Sequence, residues 1–308
     1  MIWSFSEGRT FKACPRRWFY KAVFGESRSK DPQRREAYVL SKLQSIYAWR
    51  GQVVDSVISK NVVSELNANR KPVLRDVLEY ARQLFEMQRE FGTRHRVREP
   101  DMAVTDAGPA FAAFHSIEYG LPLTDDDFDR AWCDVETAIR NLWKLEELRG
   151  PLREGRYRIA QRNLLFEHCG AKVRAVPDLV VFFADRPPLI VDWKVHSYGT
   201  RDYADQLATY ALALIRVAPH SDFPTGLPGY AAHEIELVEA QLLLGTARKH
   251  TLTPEAFQSA EERIAEGIMT LDAAIDGRRS NELCADDFPA ARNPQSCGIC
   301  PFKKLCWN

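Results

Sequence analysis

Apolar positions recur at helical spacing through much of the first half of the chain. Leu40, Leu43, Ile46, Tyr47, Val54 and Ile58 fall near one face and predict a long helix over 37–66. Gly51 interrupts it, at a cost of about 1 kcal/mol relative to alanine, which points either to a close approach to the backbone or to a packing need. Ser6 can cap a short first helix, and Pro15 opens a second that runs to about Val23. Helical patterns return over 72–91 and 128–148.

From about Tyr157 the period changes. RYRIAQRNLLFEH, KVRAVPDLVVFF and PLIVDWKV are short and rich in branched apolar residues, which predicts strands. Cys169-Gly170 and residues 185–188 supply the turns between them. A helix over 202–217 follows, then a Pro/Gly-rich loop over 219–229 and a strand within 233–244. A last helix covers 254–276, with Thr253 as its N-cap and Pro254 at its first position. Helix, three antiparallel strands, helix, strand is an α/β order with mixed pairing. Nothing repeats internally and no segment is low in complexity.

Composition adds limits. With 308 residues, 45% of them hydrophobic and 27% charged, the chain has material for a substantial core and is not globally disordered. No apolar run approaches the length needed to cross a bilayer. The first residues lack the apolar stretch of a secretory leader, so a cytoplasmic protein with no membrane partner is expected, its cysteines held as thiols or metal ligands. The 42 basic and 42 acidic side chains cancel, yet they are unevenly spread. Residues 1–50 hold eleven Arg or Lys against four Asp or Glu, and residues 101–150 hold four against eleven. The basic block interleaves Arg16, Arg17 and Lys21 with Trp18 and Tyr20. That mixture can hold phosphates and stack bases, or it can form an amphipathic helix with solvated cations and buried rings. Asp125, Asp126 and Asp127 read as a solvated turn and helix start rather than a metal site.

The chemistry concentrates at the strand ends. Pro177-Asp178 opens one strand, and the strand returning after residues 185–188 ends in Asp192-Trp193-Lys194. In such a hairpin the two aspartates can meet side by side, and the two-residue step puts Lys194 on the face of Asp192. Burying isolated charges there is costly, so a compensating ion is expected. Two carboxylates and a backbone carbonyl, that of Trp193, suit hard Mg²⁺ or Mn²⁺. Asp192 and Lys194 taken alone read better as a surface ion pair, and the flanking Pro177-Asp178 and the following Gln206 and Tyr210 raise their value. Gln206 and Tyr210, four residues apart on the following helix, share one face that can turn toward the carboxylates.

Asp178, Asp192-Trp193-Lys194, Gln206 and Tyr210 in this element order resemble the PD-(D/E)XK nuclease superfamily, and more narrowly its RecB-like branch. The resemblance implies a restriction-endonuclease-like core with Asp178 and Asp192 as metal ligands, Lys194 as the catalytic lysine and Gln206 and Tyr210 as the accompanying pair. The branch carries Gly-x-x-x-His on the preceding helix. This chain has Gly51 and then Asp55, a carboxylate that can also hold Mg²⁺ or Mn²⁺ with altered metal preference. Glu167 is an additional acidic residue with a structural reading.

Cys297-x2-Cys300-x5-Cys306 closes the sequence, and Cys14, also just before a proline, is the candidate fourth ligand. Cys133, Cys169 and Cys284 read as ordinary buried or loop thiols. Four thiolates fit Zn²⁺ or an iron–sulfur cluster, and spacing does not choose. One cysteine before the core and three after it resemble the [4Fe-4S] staple of the AddB nuclease domain and of CRISPR-associated RecB-like exonucleases, which implies iron and a staple joining the two terminal regions. In the chain-entropy model, pinning Cys14 to Cys297 closes about 283 residues and is worth at most about 5–6 kcal/mol.

The resemblance covers 1–60 and 157–308. It implies a helical part of the nuclease core with the first cluster cysteine over 1–60 and a helical insertion or cap over 61–156. The nuclease core then spans 157–280 and the iron–sulfur segment 281–308. It further implies metal-dependent hydrolysis of DNA, as an exonuclease on single strands or duplex ends, in repair, recombination or antiviral defence, with a protein partner in such a complex. The alternative is a catalytically weak DNA-binding or scaffold module that keeps the fold.

Overall fold

The computed structural model describes residues 2–97, 107–196, 203–221, 223–226 and 229–307. Residue 202, at the start of the expected 202–217 helix, and residues 222, 227 and 228 of the expected 219–229 loop lie outside the described residues. Among the described residues the strands are β1 (Ile2–Trp3), β2 (Tyr157–Ala160), β3 (Leu164–His168), β4 (Ala171–Ala175), β5 (Leu179–Phe182), β6 (Leu189–Lys194), β7 (Glu236–Gln241) and β8 (Thr246–His250). They form two sheets, ordered β1-β4-β3 and β2-β5-β6-β7-β8.

The expected three-strand meander is therefore split. Each of its first two strands breaks in the middle, so that β3 and β4 pair in one sheet while β2 and β5 pair in the other. The breaks have local causes. Gln161 takes φ +53°, a left-handed conformation that no strand accommodates, and Pro177 has no N–H to give to a ladder. The small sheet gains β1, which runs parallel to β4, a pairing absent from the sequence reading. β6 and β7 pair in parallel, and the Tyr203–Arg216 helix lies between them in sequence, as a parallel connection requires. β8 turns back on β7 as a further unforeseen strand.

The long helix expected over 37–66 is three pieces. A Pro32–Leu40 helix ends, Leu43 closes a turn onto Leu40, and a new helix runs Ile46–Val57 before a π-helical stretch at Ile58–Val62 and a last turn at Val63–Asn67. A Cβ at Gly51 would meet Val195 at an ordinary 3.9 Å, so nothing crowds the backbone there. The first helix starts at Phe5, which places Ser6 inside it rather than at its cap. Cys14 caps the next, accepting from the Arg17 N–H at 3.4 Å, and Pro15–Trp18 continues into a π-helical Phe19–Phe24. The helix expected over 128–148 runs Asp125–Lys144, and Glu146–Glu154 forms a separate one, so the acidic run lies in the first turn. Thr124 and Asp127 exchange backbone-to-side-chain hydrogen bonds of 2.9 and 3.2 Å, a reciprocal cap. Thr253 caps the Pro254–Ile275 helix in the expected manner.

The chain divides into two compact units. Unit 1 comprises Met1–Phe5, Arg50–Gln83 and Arg130–Glu266, and unit 2 comprises Ser6–Trp49, Leu84–Asp129 and Gly267–Asn308. Unit 1 holds both sheets, with β5 and most of β6 buried on both faces. Among the described residues unit 2 has no sheet of its own, and it packs through aromatic rings. Phe19 stacks on Phe288 at 5.0 Å, Tyr20 on Phe302 at 5.7 Å, and Trp49 packs against Phe85 and Phe114 at 4.6 and 5.0 Å.

Candidate active site

The β5–β6 register aligns Leu179 with Val191, and the next pair outward is Asp178 opposite Asp192. The hairpin thus brings the two aspartates together as expected, with their carboxyl groups within hydrogen-bond reach. Asp192 is 1% exposed, and Lys194, two residues on, holds its Oδ2 at 2.5 Å. The Lys194 ammonium also lies 4.6 Å over the Tyr203 ring.

Asp55 joins them from the Ile46–Val57 helix, one turn before the π-helical stretch. Gln161 fastens it in place: its amide donates to Asp55 Oδ1 at 2.7 Å and to Asp178 Oδ1 at 3.0 Å. Trp193 makes the second link. Its indole N–H donates to Asp55 Oδ1 at 3.0 Å and its backbone N–H to Asp178 Oδ2 at 2.9 Å. Lys194 gives its carbonyl to Leu242 on the β7 side, so the Trp193 N–H and carbonyl lie along the opposite edge, beside Asp178. Gln206 and Tyr210 hydrogen-bond to each other on the Tyr203–Arg216 helix. The buried Tyr210 hydroxyl feels Asp192, Asp178 and Asp55, and desolvation first, then these carboxylates, hold its pKa well above the ordinary value.

The same forces act on the acids. Burial, then the Asp192 and Asp55 charges, push Asp178 well up. Burial raises Asp192 against the opposing pull of Lys194, and it carries Asp55 to about 6. Three carboxylates raised together by burial and mutual repulsion form an oxygen-only donor set with one ammonium, and a hard divalent cation relieves that repulsion. Among the described residues no three His, Cys, Asp or Glu side chains converge tightly enough to ligate a metal ion as they stand. The oxygen-only donor chemistry nonetheless suits Mg²⁺ or Mn²⁺, and Asp55, Asp178, Asp192 and the Trp193 carbonyl are the groups that could hold it.

Two contributors escaped the sequence reading. Gln161 has no motif signature, and only its left-handed backbone marks it as strained at a site. Glu239 on β7 sits level with Asp192 in the parallel register and is fully buried. Gln241 donates to it at 2.6 Å, and His250 faces it at 3.1 Å. A charged residue inside the apolar ELVEAQ strand was the available signal. Glu167, by contrast, is exposed on β3 in the small sheet.

In unit 2, Cys14, Cys297, Cys300 and Cys306 border a single cavity of about 110 Å³. All seven cysteines are free, these four half-buried and Cys133, Cys169 and Cys284 exposed rather than packed. Burial raises the Cys300 thiol first, and Cys14 and Cys297 raise it further by like-charge repulsion. The convergence seen falls short of ligation, as noted above, while four sulfurs around one cavity match the donor set of a thiolate-held centre. Arg17 lines that cavity, and Arg16 is tied down by bonds to the Phe288 carbonyl at 2.9 Å and to Asp286. Lys21 is exposed, while Trp18 and Tyr20 are core. Among the described residues no helix is long and apolar enough to cross a membrane.

Comparison with known proteins agrees with this geometry at the level of family. No curated protein sequence matches the chain. A solved structure described as "Crystal structure of SSO0001" is similar at 13% identity, covering 74% of this chain and 96% of that one. Its TM-score of 0.32 is too low to bear on the fold. The model of the PD-(D/E)XK nuclease superfamily matches residues 2–307. That span is nearly the whole sequence, and it includes every carboxylate, lysine and glutamine described above: the chain belongs to the PD-(D/E)XK nuclease superfamily.

Proposed function

We propose that the protein is a metal-dependent deoxyribonuclease of the RecB-like type, acting as an exonuclease on single strands or duplex ends. The carrying observation is the facing of Asp178 and Asp192 across the hairpin, with Asp55 bound to both strands through Gln161 and Trp193 and with Lys194 paired to Asp192. Bound Mg²⁺ or Mn²⁺ supplies Lewis acidity toward water and the phosphoryl group. The chain's residues do the rest. Asp55, Asp178 and Asp192 hold the charge balance, and Gln161 and the Trp193 indole fix the carboxylate orientations. Lys194 directs an N–H toward the attacking water and the non-bridging phosphate oxygens. Tyr210, kept protonated, donates from beneath, and Gln206 orients it. Water adds to phosphorus, the bond to the leaving sugar oxygen breaks, and the proton shed by the water is balanced by the one that this oxygen takes up. Arg16, Arg17 and Lys21 are offered as contacts to the DNA backbone.

A [4Fe-4S] cluster held by Cys14, Cys297, Cys300 and Cys306 is the second part of this reading, supported by their placement around one cavity. Its role is structural, and the biological setting is DNA repair or antiviral defence with a protein partner. A Mg²⁺/Mn²⁺ cleavage assay on labelled single- and double-stranded DNA, with iron quantification of the same preparation, tests both parts. Cleavage that Asp192→Asn removes is the expected result. Undiminished cleavage in that variant rejects the site.

A further inference from the structure

The helical path that carries Asp55 continues through Ile58–Val62 to Asn67, and a second cavity of about 410 Å³ opens at its far end. That volume lies within the roughly 300–1,000 Å³ typical of small-molecule sites. Its apolar wall includes the buried Leu142 and Leu152 and the half-buried indole of Trp143. Against it stand Arg70, Lys71, Arg149, Arg153 and Arg158, and among the described residues no acidic side chain lines the cavity.

These cations are not equivalent. Arg70 is neutralised by Glu65 through bonds of 2.6 and 2.8 Å, and Arg149 by Glu146. Arg158 is 4% exposed and has no carboxylate within ion-pair range among the described residues. Its guanidinium donates to the carbonyls of Leu152 at 2.5 Å, Arg153 at 2.9 Å and Leu66 at 3.4 Å. Those carbonyls end the Glu146–Glu154 and Val63–Asn67 helices, whose negative dipole ends offset its charge. Asn67 completes the anchorage by exchanging hydrogen bonds of 2.7 and 3.0 Å with the Arg158 backbone on the edge strand β2. The base of the cavity is thus rigid. Lys71 and Arg153 remain: both are exposed, and neither side chain has an ion pair or hydrogen bond among the described residues. An apolar, indole-bearing wall facing two unspent cations suits a ring that carries a phosphate.

We propose that this cavity binds a nucleotide, with its phosphate between Lys71 and Arg153 and its ring against Leu142, Leu152 and Trp143. The nucleotide is either a free nucleoside phosphate or one residue of a strand. The cavity shares no residue with the carboxylate centre, and Leu66 lies about 16 Å along the helical path from Asp55 at 1.5 Å per residue. The inference therefore goes beyond the nuclease reading and holds or fails without it.

Calorimetric titration of the full chain with thymidine 5′-monophosphate, a 5′-phosphorylated oligothymidylate and the same oligomer without the phosphate tests the proposal. The double variant Lys71→Ala/Arg153→Ala changes two exposed side chains, and its circular dichroism should match the wild type. Each lost charge-assisted contact should weaken binding about tenfold or more. Binding of the monophosphate with that pattern assigns a free nucleotide; binding of the oligomers alone with that pattern assigns a strand. Trp143→Leu should weaken the nucleotide probes while sparing inorganic pyrophosphate, a check independent of the charge variant. Absence of binding by every probe, or equal binding by wild type and double variant, overturns the proposal.

Discussion

The two candidate centres solve opposite problems. In unit 1 the carboxylates are held before any ion arrives: a strand register, an amide bridging two acids and an indole N–H fix their positions, and repulsion is the remaining cost. In unit 2 the thiols surround a cavity with lighter bracing. The Arg17 N–H reaches the Cys14 sulfur and the Phe302 backbone that of Cys300, and the aromatic stacks nearby supply the packing. A preorganised oxygen site can lose its cation and keep its shape. A thiolate site framed by short helical turns depends on what fills it.

The sharpest way to break this contrast is Cys300→Ser. Loss of the proposed staple should remove the iron of the proposed cluster and destabilise unit 2 by up to about 5–6 kcal/mol on the loop-entropy model. Hydrogen exchange should then rise in 6–49 and 267–307 while β5 and β6 stay protected. Equal loss of protection in both units would erase the distinction. Next in size, Asp192→Asn should cut cleavage by about 10³-fold, on the scale of removing a preorganised electrostatic group, with iron content unchanged. Gln161→Ala should lower activity about 10- to 100-fold, the range for a residue that orients metal-holding groups. Gln161→Gly should lose similar activity yet gain stability in urea, because glycine relieves the positive φ. The smallest effect belongs to unit 2's packing. A Cβ at Gly92 would fall 2.5 Å from Phe114 Cε2, so Gly92→Ala should cost about 1–3 kcal/mol by chemical denaturation.

Legibility in the sequence followed the range of the physics. Asp178 and Asp192 could be paired because a hairpin converts spacing into register, and residues 185–188 announce its turn. Thr253 marks a cap by local chemistry alone. The split of the meander was hidden because a left-handed Gln161 inside an otherwise strand-like run has no compositional sign. The break after Leu40 was missed for a different reason: Leu43 and Ile46 keep helical spacing across a turn, so periodicity runs on where the backbone does not. The place of Glu239 beside Asp192 and the Leu66 and Asn67 partners of Arg158 depend on elements distant in sequence, which a pattern read along the chain does not bring together.

The composition of unit 2 from Ser6–Trp49, Leu84–Asp129 and Gly267–Asn308 bears on how the protein is made. Ribosomes add about 5–20 residues per second, and domains fold as their segments emerge. Unit 1 has its last segment at Glu266, while Cys14 must wait for Cys297, Cys300 and Cys306. The carboxylate centre can therefore form on the nascent chain before the sulfur cavity exists. A polypeptide released early would carry an assembled acid cluster on a half-built partner unit, a species for proteases to clear. Insertion of the proposed cluster becomes a late step, open only to chains translated through Cys306.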